Sequence, residues 1–224
     1  MAKTGNIKVL IVDNYPLYSF GLSILLEKDP RFEVTGIAEN CTEALKIAEK
    51  EKPALVLMEM RLGKENGLDL IPKLKAINPE ISILIISIHD ERFYAERVLR
   101  LGARGYVLKT EPADAVMSAI NTVLNNKVYL SETERDRILQ TMTEEYKPGI
   151  KDWITSLQLL SNRELQVFSF LAKGLGTIEI ASRLNLSTKT VDTHKEHIKI
   201  KLQCKTVQEL KQKAIEWSNR SGNL

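Results

Sequence analysis

Residues that could bind a metal ion or a phosphoryl group stand at the ends of apolar stretches of this chain. They are Asp13, Asn14, Glu59, Ser87 and Lys109. Carboxylate and amide oxygens bind hard divalent cations, whereas an ammonium and a hydroxyl hold anionic oxygens. Together these side chains indicate a functional site, if the fold brings them together. For any one of them alone, a solvated loop residue is the simpler interpretation.

The elements that would position these residues are short strands that alternate with helices. Apolar runs typical of buried parallel strands cover 7–12, 32–38, 54–58, 81–87 and 105–108. Helical periodicity follows each run, over 16–28, 42–50, 68–77, 91–101 and 113–124. This alternation predicts an α/β doubly wound, five-stranded parallel sheet of the flavodoxin-like type. Because the carboxyl ends of parallel strands meet at one edge, the polar residues after them are expected to lie together.

The last third of the chain has a different pattern. Residues 131–155 are polar and charged and break at Pro148–Gly149, which is typical of a linker with some helix. Beyond them the periodic segments are helical, and their expected N-cap residues are Ser161, Thr177, Ser187 and Thr206. The first and last of these open capping boxes, in which a Glu three residues later bonds back to the cap. Four helices in this short segment predict a second, small, all-α domain.

Two of these helices predict a helix–turn–helix, the motif that places its second helix in the major groove of DNA. The expected helices cover 177–184 and 188–202, and the residues NLS (185–187) form the turn. The alternative is an ordinary amphipathic helix with a charged solvent face. The distribution of charge favours DNA, because residues 151–224 carry 12 Lys and Arg against 7 Asp and Glu, whereas residues 1–150 carry 20 against 22.

The second helix of this motif carries the residues that would read DNA. They are Lys189, Thr190, Asp192, Thr193, Lys195, Glu196 and Lys199. Lys189 and Thr193 are donors for base edges, and the two acids could accept from cytosine N4. The candidates for phosphate contacts are Lys195, Lys199, Lys201 and Lys205. The acids call for base contacts, because a negative group that faces DNA without one repels it.

Composition excludes several classes of protein. Of the 224 residues, 43% are apolar and 27% are charged, as in ordinary globular domains. The longest aliphatic run, ISILIISI (81–88), is far shorter than the roughly 20 residues that cross a bilayer. The two cysteines, Cys41 and Cys204, are too few for a disulfide framework or a Cys-rich zinc site. We expect a cytoplasmic protein with no membrane partner.

Taken together, the motifs resemble a response regulator of the NarL/FixJ type, in which a receiver domain is joined to a LuxR-type helix–turn–helix. The resemblance covers essentially the whole chain. It rests on VLIVDNYPLYSFGLSILLE (9–27), LVLMEMRLGKENGLDLIPKLK (55–75), ISIHD (86–90), GARGYVLK (102–109) and LSNRELQVFSFLAKGLGTIEIASRLNLSTKTVDTHKEHIKIKL (160–202). It implies a receiver over 1–128, a linker over 129–155 and a DNA-binding domain over 156–224.

The resemblance also implies roles for the residues at the strand ends. In this family, two adjacent acids after the first strand and an aspartate after the third bind Mg²⁺, and that aspartate accepts a phosphoryl group. Asp13 matches the first of these acids. Ser87 and Lys109 match the residues that hold the phosphoryl oxygens, and Tyr106 matches an aromatic residue that reports the switch.

Two departures from the family pattern decide the interpretation. Asn14 stands in place of the second acid, so a Mg²⁺ site formed by Asp13 and Glu59 is expected to be weak or absent. Glu59 stands in place of the phospho-accepting aspartate, and in-line attack tolerates little misplacement, since about 1 Å can cost roughly a hundredfold in rate. The longer side chain of Glu59 also reaches toward Lys109 and Ser87. We therefore predict that Glu59 imitates a phosphorylated aspartate and that no cofactor is required.

The predicted function is that of a transcriptional regulator, not an enzyme, that binds promoter DNA as a homodimer, with a sensor kinase or another protein as a further partner. Alternatives stay open. The receiver could be phosphorylated weakly, or could be the aspartate-to-glutamate variant of a phosphorylatable regulator. It could instead act mainly as a docking module through residues 91–109. An Mg²⁺-dependent phosphohydrolase is the enzymatic alternative, but Tyr15 stands where such an enzyme has a second aspartate.

Overall fold

The computed structural model describes residues 6–63, 65–143, 157 and 159–220. The chain divides into two compact units, Met1–Ile138 and Leu139–Leu224, each built around its own elements. Within the described ranges, no helix has the length and apolar character that crossing a membrane requires.

The first unit is built on a parallel sheet of five strands. These strands are β1 (Ile7–Val12), β2 (Phe32–Ala38), β3 (Leu55–Met58), β6 (Ser82–Ser87) and β7 (Gly105–Leu108). Their order is β2-β1-β3-β6-β7, and every neighbouring pair is parallel. The central strands are mostly buried, as a sheet with both faces covered requires. The doubly wound fold predicted from the alternating periodicity is confirmed.

Five helices alternate with these strands. They are α1 (Pro16–Glu27), α2 (Cys41–Glu51), α3 (Leu70–Ile77), α4 (Glu91–Leu101) and α5 (Ala113–Leu124). Apolar residues of α1 and α5, such as Leu26 and Ile120, form one core cluster with Val9, Leu57 and Ile86 of the sheet. The short connections bring each helix back to the sheet, so the polar residues that end β1, β3, β6 and β7 stay at its carboxyl edge.

A short hairpin follows β3 that the sequence periodicity did not predict. It consists of β4 (Arg61–Leu62) and β5 (Glu65–Asn66), after which a 3-10 turn (Gly67–Asp69) leads into α3. The N–H of Gly67 donates to the carbonyl of Met60 at 2.8 Å. A Cβ at Gly67 would lie 2.7 Å from the carbonyl oxygen of Glu59, so glycine alone permits this close approach. The hairpin thus closes the loop directly after Glu59.

Beyond the sheet the chain forms α6 (Glu132–Thr143), and the first unit ends within this helix, at Ile138. Tyr129 forms a parallel bridge with Gly105 at the edge strand β7, and its carbonyl accepts the N–H of Tyr106 at 3.0 Å. α6 falls among the residues expected to form a linker with some helix. The break at Pro148–Gly149, like the rest of residues 144–156, lies outside the described residues.

The second unit contains the helices expected after the linker. They are α7 (Asn162–Ala172), α8 (Thr177–Leu184), α9 (Thr188–Lys201) and α10 (Val207–Arg220). α7 packs against α9 and α10, and α9 packs against α8. Val191 and Ile198 of α9 are fully buried, which fixes the face that this helix turns inward.

Three of the four predicted helix caps are found. They are Ser161, Ser187 and Thr206. The prediction for Thr177 is wrong, because Gly176 is the N-cap residue and Thr177 is the first residue of α8. The carboxylate of Glu179 accepts the N–H of Gly176 at 2.8 Å, so the acid three residues on supplies the cap without a hydroxyl. The hydroxyl of Thr177 is thereby left for contacts with α9.

Candidate functional site

The polar residues that end the strands lie together at the carboxyl edge of the sheet. Their backbones extend the strand pairing: the N–H of Glu59 donates to the carbonyl of Val12, and the N–H of Lys109 to that of Ser87, both at 2.8 Å. Glu59 is 2% exposed, and Asp13 and Ser87 are also buried. We name Asp13, Glu59, Ser87 and Lys109 the strand-end pocket.

Lys109 joins the two carboxylates of this pocket. Its Nζ lies 2.6 Å from Asp13 Oδ2 and 2.9 Å from Glu59 Oε2. The ring centroids of Tyr15 and Tyr18 lie 4.4 and 4.6 Å from the same atom. Two negative groups and two π faces therefore surround an ammonium whose side chain is only 7% exposed. Sequence reasoning did not assign the tyrosines to the site, although their place directly after β1 was the available signal. Tyr15 is the N-cap residue of α1, and Tyr18 lies in the first turn of that helix.

The other carboxylate oxygen of Glu59 accepts several hydrogen bonds. Ser87 Oγ donates to Glu59 Oε1 at 2.5 Å, and the N–H of Met60 donates to it at 2.6 Å. The N–H of Arg61 is 3.3 Å from the same oxygen. A hydroxyl, an ammonium and main-chain amides converge on Glu59, and such a set suits an anionic group with several oxygens.

The electrostatics of the pocket reflect its burial. Burial raises the pKa of Asp13, although the Lys109 ammonium and the N–H of Tyr15, which donates to Asp13 Oδ1 at 2.9 Å, oppose the rise. Burial also raises the pKa of Tyr18 to about 12, and the charges of Asp13 and Glu59 add to that rise. The Tyr18 phenol is therefore neutral at physiological pH and contacts the ammonium through its ring. Two buried carboxylates face one buried ammonium.

The arrangement of donors does not fit a Mg²⁺ site. Asp13 and Glu59, the two acids predicted as metal ligands, both contact the Lys109 ammonium, so a cation would have to displace it. Asn14 Oδ1 is buried and has no hydrogen-bond partner among the described residues, and it offers a neutral third oxygen. Mg²⁺ favours several anionic oxygens in a tight octahedron. In the part of the chain that is described, no three His, Cys, Asp or Glu side chains group to hold a metal.

Tyr106, which matches the switch aromatic, is buried next to this pocket. Its hydroxyl donates to the carbonyl of His89 at 2.8 Å, and the N–H of His89 donates to Ser87 Oγ at 3.3 Å. Burial raises the pKa of Tyr106 well above its ordinary value, so the phenol stays a donor. Tyr106 is thus linked to the pocket through the segment that follows β6, and His89 is a member of the site that sequence reasoning missed.

The helix α9 presents a polar face to solvent. Lys189, Asp192, Thr193 and Glu196 are exposed on it, and so is His197, which the sequence analysis did not select. Thr193 Oγ1 donates to the carbonyl of Lys189 at 3.0 Å. Thr190 lies at the helix start, where its hydroxyl is 2.8 Å from Ser187 Oγ. The exposed face therefore mixes donors and acceptors, as base reading requires.

Lys195 is buried, so the phosphate contact expected of it does not agree with the structure. The residue is 7% exposed. Its Nζ contacts the hydroxyl of Thr177 in α8 and lies 3.4 Å from Asp192 Oδ1. Thr177 Oγ1 also donates to Asp192 Oδ1 at 3.3 Å. The ammonium therefore bridges α8 and α9 inside the second unit, because the fold turns this position away from solvent.

Lys199 is half-buried and pairs with Glu196, one turn earlier on α9. This pair and the one between Lys195 and Asp192 reduce the negative potential of the two acids. The negative charge of Asp192 and Glu196 on the exposed face is therefore partly offset by neighbouring lysines.

Both units match known protein families. The model of the response regulator receiver domain matches residues 9–121, and that of the bacterial regulatory proteins of the luxR family matches residues 158–214. The oxygen regulatory protein NreC of Staphylococcus aureus is 32% identical over 210 residues, which are 93% of this chain and 97% of that protein.

Solved structures of RcsB from Salmonella enterica serovar Typhimurium share the fold. One, bound to promoter rprA in the presence of phosphomimetic BeF3−, has a TM-score of 0.60 and 24% identity, over 93% of this chain and 98% of that chain. Another, bound to promoter P1flhDC with the same phosphomimetic, has a TM-score of 0.57 and 25% identity, over 93% and 97%. The likeness agrees with a doubly wound first unit followed by an all-α second unit.

Proposed function

The chain belongs to the response regulators that join a receiver domain to a LuxR-type DNA-binding domain, and from this premise we propose that it is a cytoplasmic transcription factor whose receiver works without aspartyl phosphorylation. It is a two-component response regulator, so the phosphohydrolase alternative is set aside. One observation carries the finer proposal: Glu59, at the phospho-acceptor position, already contacts Ser87 Oγ and Lys109 Nζ, at 2.5 and 2.9 Å.

The contacts of Glu59 support the role of a built-in phosphoryl mimic. By the family resemblance, Ser87 and Lys109 hold the oxygens of a phosphorylated aspartate. Here they hold the oxygens of Glu59, and the N–H of Met60 adds a third donor at 2.6 Å. The Glu59 carboxylate takes the place of the phosphoryl group in these contacts. It therefore holds Ser87 and Lys109 close to the end of β3 without a phosphoryl donor.

The same contacts argue against phosphorylation of Glu59. Both of its oxygens are engaged in a buried site, so a phosphoryl donor could approach in line only after Ser87 and Lys109 had moved away. The poor fit for Mg²⁺ removes the cation that would neutralise the incoming charge. Weak phosphorylation, and the aspartate-to-glutamate variant of a phosphorylatable regulator, are the competing interpretations.

We propose promoter DNA and a second copy of the chain as the partners of this regulator. RcsB has been solved with promoter DNA, and also as two dimers bound to two parallel DNAs. On α9, we assign base reading to Lys189, Thr193 and Glu196, whose side chains are exposed, and a phosphate contact to Lys199. Lys195 is left out of the interface because it is buried.

The regulatory role of Glu59 is tested by the DNA affinity of protein purified without kinase or phosphoryl donor. We expect specific binding to promoter fragments in gel-shift assays. Glu59→Gln keeps the size and removes the charge, and we expect it to weaken binding about tenfold, as a shift of about 1.4 kcal/mol in the active-to-inactive equilibrium would. Glu33→Gln, at an exposed acid of β2, is the matched control and should have no effect. Equal affinity of wild type and Glu59→Gln would refute the mimic.

The assignment on α9 has a separate test in a salt series. Lys199→Ala should weaken binding to all sequences alike and reduce the slope of log affinity against log salt by about one unit. Thr193→Ala should instead change which base is preferred, at about 1–3 kcal/mol for a lost contact. No specific binding by the wild-type chain would remove the DNA-binding role itself.

A further inference from the structure

The start of α6 is attached to the start of α4 through a buried carboxylate. Glu91, the first residue of α4, is buried, and its Oε1 accepts the N–H of Ser131 at 3.0 Å. Ser131 precedes α6 and caps it, because its Oγ accepts the N–H of Glu134 at 3.2 Å and its carbonyl accepts that of Arg135 at 2.9 Å. A side chain of α4 thus holds the residue from which α6 begins.

Glu91 lies four residues after Ser87, and the chain between them is held at successive positions. The N–H of His89 donates to Ser87 Oγ, and its carbonyl accepts the hydroxyl of Tyr106. Asp90 then caps α4 with its side chain. Ser87 Oγ also donates to Glu59 Oε1, so a chain of contacts leads from Glu59 through residues 87–90 to Glu91.

Two further contacts involve the residues around the start of α6. The carbonyl of Tyr129 accepts the N–H of Tyr106 beside β7, at 3.0 Å. Glu134, in the first turn of α6, is buried and pairs with Arg137 at 2.5 Å. Within the 91–109 segment, the alternative docking face, Glu91 and Tyr106 are therefore bonded to residues 129–131 of the same chain.

The contact between Glu91 and Ser131 does not depend on the charge of the acid. Burial raises the pKa of Glu91, the hydrogen bond from Ser131 opposes the rise, and the nearby Glu134 adds to it. A neutral carboxyl still accepts an N–H through its carbonyl oxygen. An amide at position 91 is therefore expected to keep the contact.

We propose that Glu91 is a positioning residue that couples the strand-end pocket to α6 through its hydrogen bond with Ser131. The inference rests on the proposed function, in which Glu59 sets the state of that pocket. The chain continues from α6 toward the DNA-binding unit. A change in the pocket that moves Ser131 would therefore act at the start of the segment that leads along the chain to that unit.

The coupling is tested by amide hydrogen exchange on the full chain, with and without Glu59→Gln. In the wild-type background, Glu59→Gln should speed exchange at Glu134 and Arg135 about fivefold or more, the lower end of typical coupling between sites. In a Glu91→Ala background, the same change should alter these two amides by less than about twofold. Equal effects in the two backgrounds, or no effect of Glu59→Gln on these amides, would overturn the proposal.

Matched variants separate coupling from damage to the helix. Ser131→Ala keeps the N–H bonded to Glu91 and loses only the cap hydroxyl, so it should speed exchange in α6 yet preserve the response to Glu59→Gln. Loss of that response would assign the coupling to the cap and overturn the role of Glu91. Glu91→Gln, which keeps the acceptor, should preserve the response.

A shortened acid covers the case in which Glu91→Ala does not fold. Glu91→Asp withdraws the carboxylate by one methylene and should reduce the response to Glu59→Gln, and an undiminished response would count against the proposal. These readings use no DNA. Loss of specific DNA binding would refute the proposed function. That outcome is measured separately from hydrogen exchange, so the two failures can be distinguished.

Discussion

Each unit contains a buried glutamate that accepts a main-chain N–H and pairs with a lysine. Glu59 accepts the N–H of Met60 at 2.6 Å and pairs with Lys109 at 2.9 Å. Glu164, in α7, accepts the N–H of Ser161 at 2.6 Å and pairs with Lys201 of α9 at 2.7 Å. Both acids are almost fully buried. Their immediate contacts are nearly the same.

The surroundings of the two acids differ. Lys201 is 37% exposed, whereas Lys109 is 7% exposed and shared with a second carboxylate, Asp13. Burial would raise the pKa of Glu164, but hydrogen bonds from Lys201 and Ser161 prevail and lower it. Burial instead prevails at Asp13 and raises its pKa. An acid whose hydrogen bonds are complete and whose lysine partner is solvated is typical of a structural contact. Two buried carboxylates that share one ammonium are typical of a functional site.

The largest expected effect concerns the uptake of a phosphoryl group at the strand-end pocket. We expect no mass increase when the wild-type chain is incubated with acetyl phosphate and Mg²⁺, because Glu59 is engaged and Asn14 supplies no charge. The double variant Glu59→Asp, Asn14→Asp restores three carboxylates at aspartate length and should gain one phosphoryl group. Intact-mass spectrometry measures both. A stoichiometric adduct on Glu59 would end the mimic interpretation.

Removal of the paired lysine should destabilise the two sites unequally. Lys109→Met leaves two buried carboxylates without their cation and should lower the free energy of unfolding by about 3–5 kcal/mol. Lys201→Met removes a solvated partner and should cost about 1 kcal/mol or less. Chemical denaturation at neutral pH compares the two variants. Similar losses would show that the strand-end pocket is no more strained electrostatically than the cap of α7.

A smaller effect is expected from the acid of the second unit. Because its folded pKa lies below the unfolded value, near 4.5, ionised Glu164 stabilises the fold above that value, and this contribution is lost as pH falls through the folded pKa. Glu164→Gln should therefore lower the free energy of unfolding by about 1–2 kcal/mol at pH 7. The difference from wild type should shrink in denaturation measured below pH 4.5. A difference that grew on acidification would contradict this sign.

The smallest expected effect concerns the tyrosine rings that contact Lys109. Tyr18→Phe keeps the ring and should leave stability nearly unchanged, whereas Tyr18→Leu removes one π face and should cost about 1 kcal/mol. Spectrophotometric titration of wild type against Tyr18→Phe should assign to Tyr18 a phenol that ionises only near pH 12. If Phe and Leu were equally destabilising, the hydroxyl rather than the ring would be the group that matters.

Much of the architecture could be predicted because it depends on local periodicity. The predicted bounds of β1, β2 and β7 agree with the structure, since apolar runs flanked by turns and helices specify buried parallel strands. The hairpin β4–β5 was missed because its strands have two residues each and no alternating pattern. Thr177 was misassigned because a hydroxyl before a helical run looks like a cap, whereas Glu179 supplies the bond.

The sequence by itself determined which chemical groups reach the carboxyl edge of the sheet, because strand ends follow from periodicity and side-chain identity needs no fold. Tertiary structure alone decided how those groups pair: that Lys109 lies between Asp13 and Glu59, and that Lys195 turns inward to α8. Such contacts join residues far apart in the chain. Their distances depend on how strands and helices pack, and no local pattern carries that information.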